Sequence, residues 1–483
     1  MNKFDCEHLI AMGRHIPTPF YISVAEESSE EAIKIEKILR IVPGKRLIGL
    51  SNWQNQSVIV KLFFGPGRWK RNLLSDLRGI NLLKQRHIPT PDIVHQTNMA
   101  DGRGAVLLID YLGQGKNLNL LIEETNNYTE KLSIIKMAVA TIAKCHRTGL
   151  WQDDIHLDNF MLVGELLYLL DGGDISAVDN DIDLQIALDN LALFFAQFSV
   201  AMDRHIPQLL EYYREHNDSL PQIETTSMTS RVISQRKQRL SQYERKLFRS
   251  TTANRSVHTS NKFVVYDRNI HSEELKKFIV NPDAYINENN LLKAGNASTV
   301  ATITLASKSY VLKRYNLKSL WHSIKYLFKP SRAHHSWLNA SVLEMLGVAT
   351  PHPYLFYEER IFRVFRRRAF FLSKNLGAPT LLEQMQSKRE QSFPIERLVL
   401  EFKYLFDTMC TYRISHGDMK ASNFIFDGDR LYVLDLDAMK RHVNEEVFLR
   451  AIKKDLTRFM KNWQGTVFES KFNKLIDDIE LNP

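Results

Sequence analysis

One polar motif occurs twice in this chain, about half a chain apart. In the first copy, "WQDDIHLDNFMLVGELLYLLDGGD", Asp154 is followed by Asn159 and Asp171. In the second copy, "SHGDMKASNFIFDGDRLYVLDLDA", an Asp, an Asn and an Asp follow one another at the same spacings. The surrounding segments also recur in order: a strand ending in an apolar residue and a lysine, a helix-like segment, a Thr-Pro pair, another strand, and then the motif. After each motif comes an amphipathic helix that carries an acid, Asp189 in the first half and Asp455 in the second. A repeat of this length indicates two copies of one fold.

Length and composition agree with two globular domains. The 483 residues are too many for one ordinary core, and a hydrophobic content of 44% is typical of a folded protein. No run approaches the ~20 apolar residues of a membrane span, and the start is unlike a secretory signal or a transit peptide, which predicts a cytosolic protein. We expect a first domain at 1–200, a basic helical linker or domain tail at 201–264, and a second domain at 265–483. The three cysteines are too dispersed for a disulfide framework or a zinc site, so we expect buried thiols.

The second copy of the motif has the residues that phosphoryl transfer needs. Its "HGDMKASN" has the His-x-Asp-x-Lys-x-x-Asn form of a kinase catalytic loop, and Asp435 closes the following strand as a metal-binding Asp does. Asp418 is the candidate base that orients or deprotonates an acceptor hydroxyl, and Lys420 can offset charge at the γ-phosphate. Asn423 and Asp435 are candidate Mg²⁺ ligands, because Mg²⁺ prefers hard oxygen ligands. Upstream, Lys313 would hold the α- and β-phosphates of ATP.

A turn of small residues precedes that lysine in "LLKAGNASTVATITL". Backbone N–H groups of Gly295, Asn296, Ala297 and Ser298 are placed to cover phosphates, because small residues allow a ligand to approach the main chain closely. Such turns are common, and the strand lysine downstream is what favours a phosphate loop. The sequence therefore predicts a cofactor site built from this turn and Lys313.

These segments resemble a known family. "KAGNASTV", "YVLKRYN", "SWLNASVLEMLGVATPHP" and "SHGDMKASNF" are similar to the lipopolysaccharide core kinases, the bacterial Kdo/heptose kinase family within the protein-kinase-like superfamily. The resemblance covers most of residues 285–465, and the first half, with "VPGKRLIG", "VIVKLFFGPGRWKR" and "WQDDIHLDNFML", resembles a divergent member. It implies α+β architecture, with two tandem bilobal domains that each have a small antiparallel-sheet lobe and a larger helical lobe. It also implies ATP- and Mg²⁺-dependent phosphorylation of a heptose or Kdo hydroxyl of the lipopolysaccharide inner core, at the cytoplasmic face of the inner membrane.

The first copy departs further from the kinase pattern. Gln152 stands where the second copy has His, and His156 stands where it has Lys. The stretch "LIGLSNWQNQS" is a poor phosphate loop, so the activity of this domain is left open. The residues expected to play the matching parts are Lys61, Asp154, Asn159 and Asp171.

Neither copy has the helix glutamate that pairs with the strand lysine in protein kinases. Between the lysine and the Thr-Pro pair, the first copy has Asp76 as its one carboxylate and the second has Glu344, late in its helix. Either Glu344 pairs with Lys313 from an unusual place or the lysine is positioned differently, and we favour the second interpretation.

The formal charge of +9 suits anionic partners in general. Two aromatic and basic stretches, at 317–337 and 63–72, either face the membrane and its glycolipid or pack on the small lobe. We expect no nucleic-acid partner, and the sequence leaves the oligomeric state open. Two other functions also stay open: a protein Ser/Thr or Tyr kinase, disfavoured by the short chain between Asp435 and Asp455, and a scaffold that binds nucleotide without turnover.

Overall fold

The computed structural model describes residues 2–25, 30–125, 127–179, 182–219, 221, 223–316, 329–363, 365–387 and 394–479. The chain divides into two compact units. The first comprises Met1–Gln197 and Arg204–Gln235, and the second comprises Phe198–Asp203 and Arg236–Pro483. Each unit combines a large sheet with several helices, so the α+β class expected from the sequence is confirmed.

The first unit is built on an eight-stranded sheet with the order β1-β2-β7-β8-β6-β5-β4, and β3 pairs with β2. Strand β5 alternates buried and partly buried residues along most of its length. The hairpin between β5 and β6 turns through Gln54 and Asn55, which both have positive φ as a tight two-residue turn requires. The strands are β1 (Lys3–Phe4), β2 (Phe20–Ala25), β3 (Glu30–Ile35), β4 (Lys37–Val42), β5 (Arg46–Trp53), β6 (Gln56–Phe63), β7 (Ile93–Met99) and β8 (Ala105–Asp110).

Helices and short strands complete this unit. The short strands pair as β10 with β13 and as β12-β11-β9, and they frame the first copy of the polar motif. They are β9 (Lys116–Asn117), β10 (Leu150–Gln152), β11 (Phe160–Val163), β12 (Leu166–Leu169) and β13 (Ile175–Ala177). The helices are α1 (Cys6–Met12), α2 (Trp69–Gln85), α3 (Leu118–Glu124), α4 (Tyr128–Arg147), α5 (Leu184–Phe195), α6 (Ile206–His216) and α7 (Thr225–Lys246), of which α7 continues into the second unit.

The second unit is built on a seven-stranded sheet with the order β14-β15-β19-β20-β18-β17-β16. From β15 onward this order repeats the order β2-β7-β8-β6-β5-β4 of the first unit. The strands are β14 (Asn254–His258), β15 (Lys262–Asp267), β16 (Leu291–Ala294), β17 (Ser298–Leu305), β18 (Lys308–Tyr315), β19 (Pro353–Ile361) and β20 (Phe365–Lys374). Residues 201–264, interpreted from the sequence as a basic helical segment, thus include α6, α7 and strand β14.

The helices of the second unit enclose an aromatic core in which the rings of Trp463 and Phe472 stack with centroids 3.8 Å apart. They are α8 (Glu273–Val280), α9 (Arg332–Met345), α10 (Leu381–Ser387), α11 (Ile395–Thr411), α12 (Glu445–Met460) and α13 (Glu469–Asp477). Four short strands hold the second motif: β21 (Ile414–Ser415), β22 (Phe424–Phe426), β23 (Leu431–Val433) and β24 (Lys440–Arg441). Of the helices described, none has the length and apolar character needed to span a membrane.

The two aromatic and basic stretches differ in how much of them can be placed. Residues 63–72 form the end of β6, a connection and the start of α2. Residues 317–328 lie outside the described residues, so the other stretch is described only from Lys329 onward.

Candidate functional site

A buried carboxylate on α12 holds the loop that carries the second motif. Asp455 accepts hydrogen bonds from the backbone N–H groups of His416, at 2.6 Å, and Gly417, at 2.9 Å. The Nδ1 atom of His416 accepts a hydrogen bond from the backbone N–H of Asp418 at 3.2 Å, and its Nε2 atom lies 2.9 Å from the carbonyl oxygen of Leu434. Burial raises the pKa of Asp455, although the two N–H groups oppose this shift. Asp455 on α12 and the carbonyl oxygen of Leu434 therefore hold the loop in position.

The carboxylate of Asp418 projects from this loop among cations. Lys420 Nζ lies 2.5 Å from Asp418 Oδ2, and Arg458 Nε lies 3.7 Å from Asp418 Oδ1. Asn423 donates through Nδ2 to the carbonyl oxygen of Asp418 at 2.8 Å and to its Oδ2 at 3.3 Å. The sequence did not identify Arg458, which reaches the site from α12. Both amide donations use Nδ2, and no described residue donates to the Oδ1 atom of Asn423, which is therefore available as an acceptor.

Asp435 and Lys313 meet at the end of the β22–β23 hairpin. The backbone N–H of Leu434 donates to the carbonyl oxygen of Asn423 at 2.8 Å, which places Asp435 next to the loop. Asp435 has φ 56° and ψ 55°, the left-handed conformation that Asp tolerates better than most residues. Lys313 Nζ forms an ion pair with Asp435 Oδ1 and lies 4.0 Å from Asp437 Oδ2.

The charges around Lys313 shift one another. Burial disfavours the ammonium of Lys313, but Tyr315, Asp437 and Asp435 outweigh burial, so the pKa of the lysine lies above its ordinary value. Burial likewise opposes ionisation of Asp435, but Lys313 holds the pKa of that carboxyl below its usual range. The pKa of Asp437 is raised, because burial and the charge of Asp435 outweigh the attraction of Lys313 and Arg332. Arg332 also forms an ion pair with Asp437.

The turn of small residues lies between β16 and β17, and β17 pairs with the strand that carries Lys313. The N–H of Gly295 donates to the carbonyl oxygen of Ser298 at 3.1 Å. Asn316 donates through its side chain to the carbonyl of Gly295 at 3.0 Å and through its backbone to the carbonyl of Ala297 at 3.2 Å. Within the described ranges, the N–H groups of Asn296 and Ala297 have no acceptor. The turn therefore retains two backbone donors that a phosphate oxygen can use.

Glu344 is not the partner of Lys313. Its Oε1 atom lies 2.8 Å from Nδ1 of His352, whose Nε2 atom lies 3.2 Å from Asp267. Burial disfavours the imidazolium, but the two carboxylates outweigh burial and raise the pKa of His352 to about 9. Lys313 is instead positioned by Asp435 and Asp437, in line with the interpretation favoured from the sequence.

The first unit repeats the backbone geometry of the motif. Asn159 donates through Nδ2 to the carbonyl oxygen of Asp154 at 3.3 Å, and the N–H of Leu170 donates to the carbonyl of Asn159 at 2.9 Å. These two hydrogen bonds join the same positions as in the second unit. Lys61 Nζ lies 3.6 Å from Asp171 Oδ1, so a lysine and the strand-end acid are again brought together. The side chain of Asp154 is exposed.

A helix acid completes the first site. Asp76, buried on α2, accepts a hydrogen bond from Lys61 Nζ at 2.9 Å. Burial and the charge of Asp171 raise the pKa of Asp76 to about 6, against the attraction of Lys61. A Cβ atom on Gly173 would lie 2.7 Å from Asp76 Oδ1, so a side chain at this position would force the carboxylate of the helix acid to move. Asp76 is the one acid between Lys61 and the Thr-Pro pair, and that position in the sequence was the signal for its role.

The second unit has the reverse arrangement. Ser336 lies fourteen residues before the Thr of the Thr-Pro pair, as Asp76 does in the first unit. Asp437 lies two residues after the strand-end acid, at the position that corresponds to Gly173. The first unit therefore takes its second carboxylate from the helix and has glycine in the loop, whereas the second takes it from the loop and has serine on the helix. Both arrangements place two acids at one lysine.

The acid-bearing helices after the motif also differ. Asp189 on α5 and Asp455 on α12 appeared equivalent in sequence, but the side chain of Asp189 is 54% exposed and lies 2.5 Å from Arg231. Its neighbour Asn190 is buried and donates through Nδ2 to the carbonyl oxygen of Gln152 at 2.7 Å. In the first unit an amide therefore contacts the loop at the place where the second unit uses a carboxylate.

Comparison with known proteins does not assign this chain to a family. No family model matches the sequence, and no curated protein matches it. Among solved structures, one described as "WaaP in complex with acyl carrier protein" is 16% identical, with a TM-score of 0.29. The match covers 44% of this chain and 86% of that one. Because this TM-score is too low to establish a common fold, the site assignments rest on the residues described above.

Proposed function

We propose that the chain consists of two tandem protein-kinase-like domains and that the second is an ATP- and Mg²⁺-dependent kinase. The observation that carries this proposal is the convergence of Lys313, Asp418, Asn423 and Asp435 at one place through hydrogen bonds and ion pairs. The matching strand order of the two sheets supports the duplication. The domain limits predicted from the sequence, 1–200 and 265–483, remain part of this proposal.

The residues present suit the cofactors. Asn423 has an Oδ1 atom that accepts no hydrogen bond from the described part of the chain, and Asp435 has a carboxylate. These are the hard oxygen donors that Mg²⁺ prefers, and Mg²⁺ needs few protein ligands when phosphates supply the others. When bound, the metal would neutralise charge on the phosphates. Lys313 and the free N–H groups of Asn296 and Ala297 are the donors that would hold the phosphate oxygens.

Asp418 is the proposed base. Its carboxylate would orient the acceptor hydroxyl and accept its proton, while the acceptor oxygen forms a bond to the γ-phosphorus and the bond between that phosphorus and the ADP oxygen breaks. Lys420, whose Nζ atom lies 2.5 Å from Asp418 Oδ2, would turn to the transferring phosphoryl group and offset its charge.

The proposed acceptor is a heptose or Kdo hydroxyl of the lipopolysaccharide inner core. The sequence resemblance is its main support. In addition, only a 3-10 turn and the two-residue β24 separate Asp435 from α12, which begins at Glu445, and this connection is short for a segment that positions a protein substrate. We propose that the protein acts in the cytoplasm, at the inner face of the inner membrane, where such a glycolipid is accessible.

Transfer of labelled phosphate from ATP to core oligosaccharide tests this proposal. In a chain carrying Asp154→Asn, Asp418→Asn should lower transfer by roughly 10²- to 10⁴-fold, the usual contribution of a general base. Asp429→Asn is the matched control, because this exposed acid pairs only with Arg397 at the surface among the described residues. Full transfer by the Asp418 variant would refute its role, and labelling of added protein instead of oligosaccharide would indicate a protein kinase.

A further inference from the structure

The first unit contains a basic cavity that the proposed kinase reaction does not use. Its volume is about 300 Å³, and it lies beside the Lys61–Asp76 ion pair. Three arginines from two elements contribute to its wall: Arg46 from β5, and Arg68 and Arg71 from the start of α2. The other lining residues are Asn72, Ser75, Asp76, Gly173 and Asp174.

The three arginine side chains have no hydrogen-bond or ion-pair partner among the residues that the structure describes. This sets them apart from arginines such as Arg314 and Arg368 in the second unit, which both pair with Asp283. A guanidinium group offers several N–H donors in a planar fork, and unpaired guanidinium groups around one cavity form a site for oxyanions.

The local charge is positive on balance. Lys61 is shared by Asp76 and Asp171, and the charge of Arg46 acts on both Asp171 and Asp174. The three arginines and Lys61 still outnumber these three carboxylates. The 17-residue helix α2 adds to this potential, because it begins at the cavity with no acid in its first turn and no side-chain cap. An anion therefore matches the cavity better than a neutral ligand, and three guanidinium groups offer donors to more than one oxyanion.

The turn that corresponds to the phosphate loop of the second unit is poorly equipped. It runs through residues 43–45, between β4 and β5, and Pro43 has no N–H to donate. The carbonyl of Lys45 faces Phe64 and Gly65, whose N–H groups donate to it at 3.0 Å each. The arginine side chains can therefore supply the phosphate contacts that this turn lacks.

We infer that this cavity binds a ligand that carries two or more adjacent phosphoryl groups. Its volume is roughly ten times the share of one water molecule in the liquid, which leaves room for more than one phosphoryl group. The site does not require the second unit to transfer phosphate, so this inference goes beyond the proposed function and can hold if that proposal fails.

Calorimetric titration of the full chain with pyrophosphate tests the inference. We expect a binding event that Arg68→Gln/Arg71→Gln weakens at least tenfold and that Arg78→Gln leaves unchanged. Arg78 is a matched control, because it is an exposed arginine on α2 that does not line the cavity. Lys313→Met should retain the event, which separates this site from the second unit.

Orthophosphate and glucose 6-phosphate serve as the other ligands, and both should bind at least tenfold more weakly than pyrophosphate. Equal affinity for a single phosphoryl group would overturn the inference, as would unchanged pyrophosphate binding in the double variant or its loss in Lys313→Met. If the double variant fails to fold by circular dichroism, Arg46→Gln on the neighbouring strand provides the same comparison. Phosphate transfer is measured separately, so its absence does not bear on this result.

Discussion

Replacement of Asp437 by Asn tests whether the loop acid performs the task that a helix acid performs in the first unit. The side chain of Asp437 is 5% exposed and lies 4.0 Å from Lys313 Nζ. Lys313 also pairs with Asp435. If Asp435 binds a metal when nucleotide is present, Asp437 is the remaining carboxylate that holds the lysine in place.

The expected size of the effect follows from this distance. Two unit charges 4 Å apart attract by about 4 kcal/mol at an effective dielectric constant of ~20. Arg332 and residual contact of Lys313 with Asp435 reduce the net loss, and we expect about half of that value. A loss of about 2 kcal/mol corresponds to roughly thirtyfold weaker binding of Mg²⁺-ATP.

Calorimetry on a chain carrying Asp171→Asn isolates the second site, because that change removes the strand-end acid of the first. Asp429→Asn, at a side chain that is 77% exposed, should stay within twofold of the parent chain. An affinity unchanged by Asp437→Asn would show that Lys313 does not depend on the loop acid, and the correspondence between the two units would then be wrong.

A rescue variant sharpens the test. Ser336→Asp combined with Asp437→Gly copies the arrangement of Asp76 and Gly173 in the first unit. If the two arrangements are equivalent, the double variant should bind Mg²⁺-ATP at least fivefold more tightly than Asp437→Gly alone. No gain, in a variant that melts at the same temperature, would indicate that the serine position does not reach the lysine.

Three further predictions concern stability. The side chain of His352 is 39% exposed and its pKa is raised to about 9, so protonated His352 should stabilise the second unit by about 1 kcal/mol below about pH 6.5, a value discounted for solvent screening. This stabilisation should be lost as the pH rises through 9. Melting temperatures measured from about pH 6 to about pH 10 should show the loss in the parent chain and not in His352→Gln. Gly79→Ala should destabilise the first unit by about 3 kcal/mol in urea, because the new Cβ would lie 1.8 Å from the carbonyl oxygen of Gly172. Asp455→Asn should lower the free energy of unfolding of the second unit, measured in urea, by about 3 kcal/mol, because it removes a buried charged acceptor of two N–H groups. Asp189→Asn, at an exposed side chain, should change the free energy of unfolding of the first unit by less than about 0.5 kcal/mol.

Local patterns in the sequence predicted much of the fold. "SVIVKLFF" and "SYVLKRYN" were interpreted as strands ending in a lysine, and they correspond to β6 and β18. The Thr-Pro pairs precede β7 and β19, as expected for a residue type that disfavours helix before it. The repeated motif was also informative, because the two hydrogen bonds that join its members recur at the same spacing in both units.

Other features depend on contacts between segments distant in sequence. "LIGLSNWQNQS" was interpreted as a poor phosphate loop, but most of it is strand β5 and the hairpin turn after it. The match between Asp189 and Asp455 also failed at the level of the side chain. One residue along a helix rotates the side chain by about 100°, so Asn190 faces the loop and Asp189 faces solvent. The pattern of residue types along the helix does not show which of two neighbouring residues faces the loop.

The origin of the second carboxylate explains why the lysine seemed to lack a partner. The ammonium group of the lysine needs two carboxylates close to it, and either the helix or the loop can supply the second one. A pattern that looks for a glutamate on the helix alone therefore misses the loop acid. A Cβ at Gly173 would lie 2.7 Å from Asp76 Oδ1, so in the first unit a loop acid at that position would displace the carboxylate of the helix acid. In the second unit, the loop acid Asp437 accompanies Ser336 on the helix. Each unit therefore satisfies the same electrostatic requirement through a compensated pair of residues, and a substitution at one member of a pair is expected to be tolerated only with a change at the other.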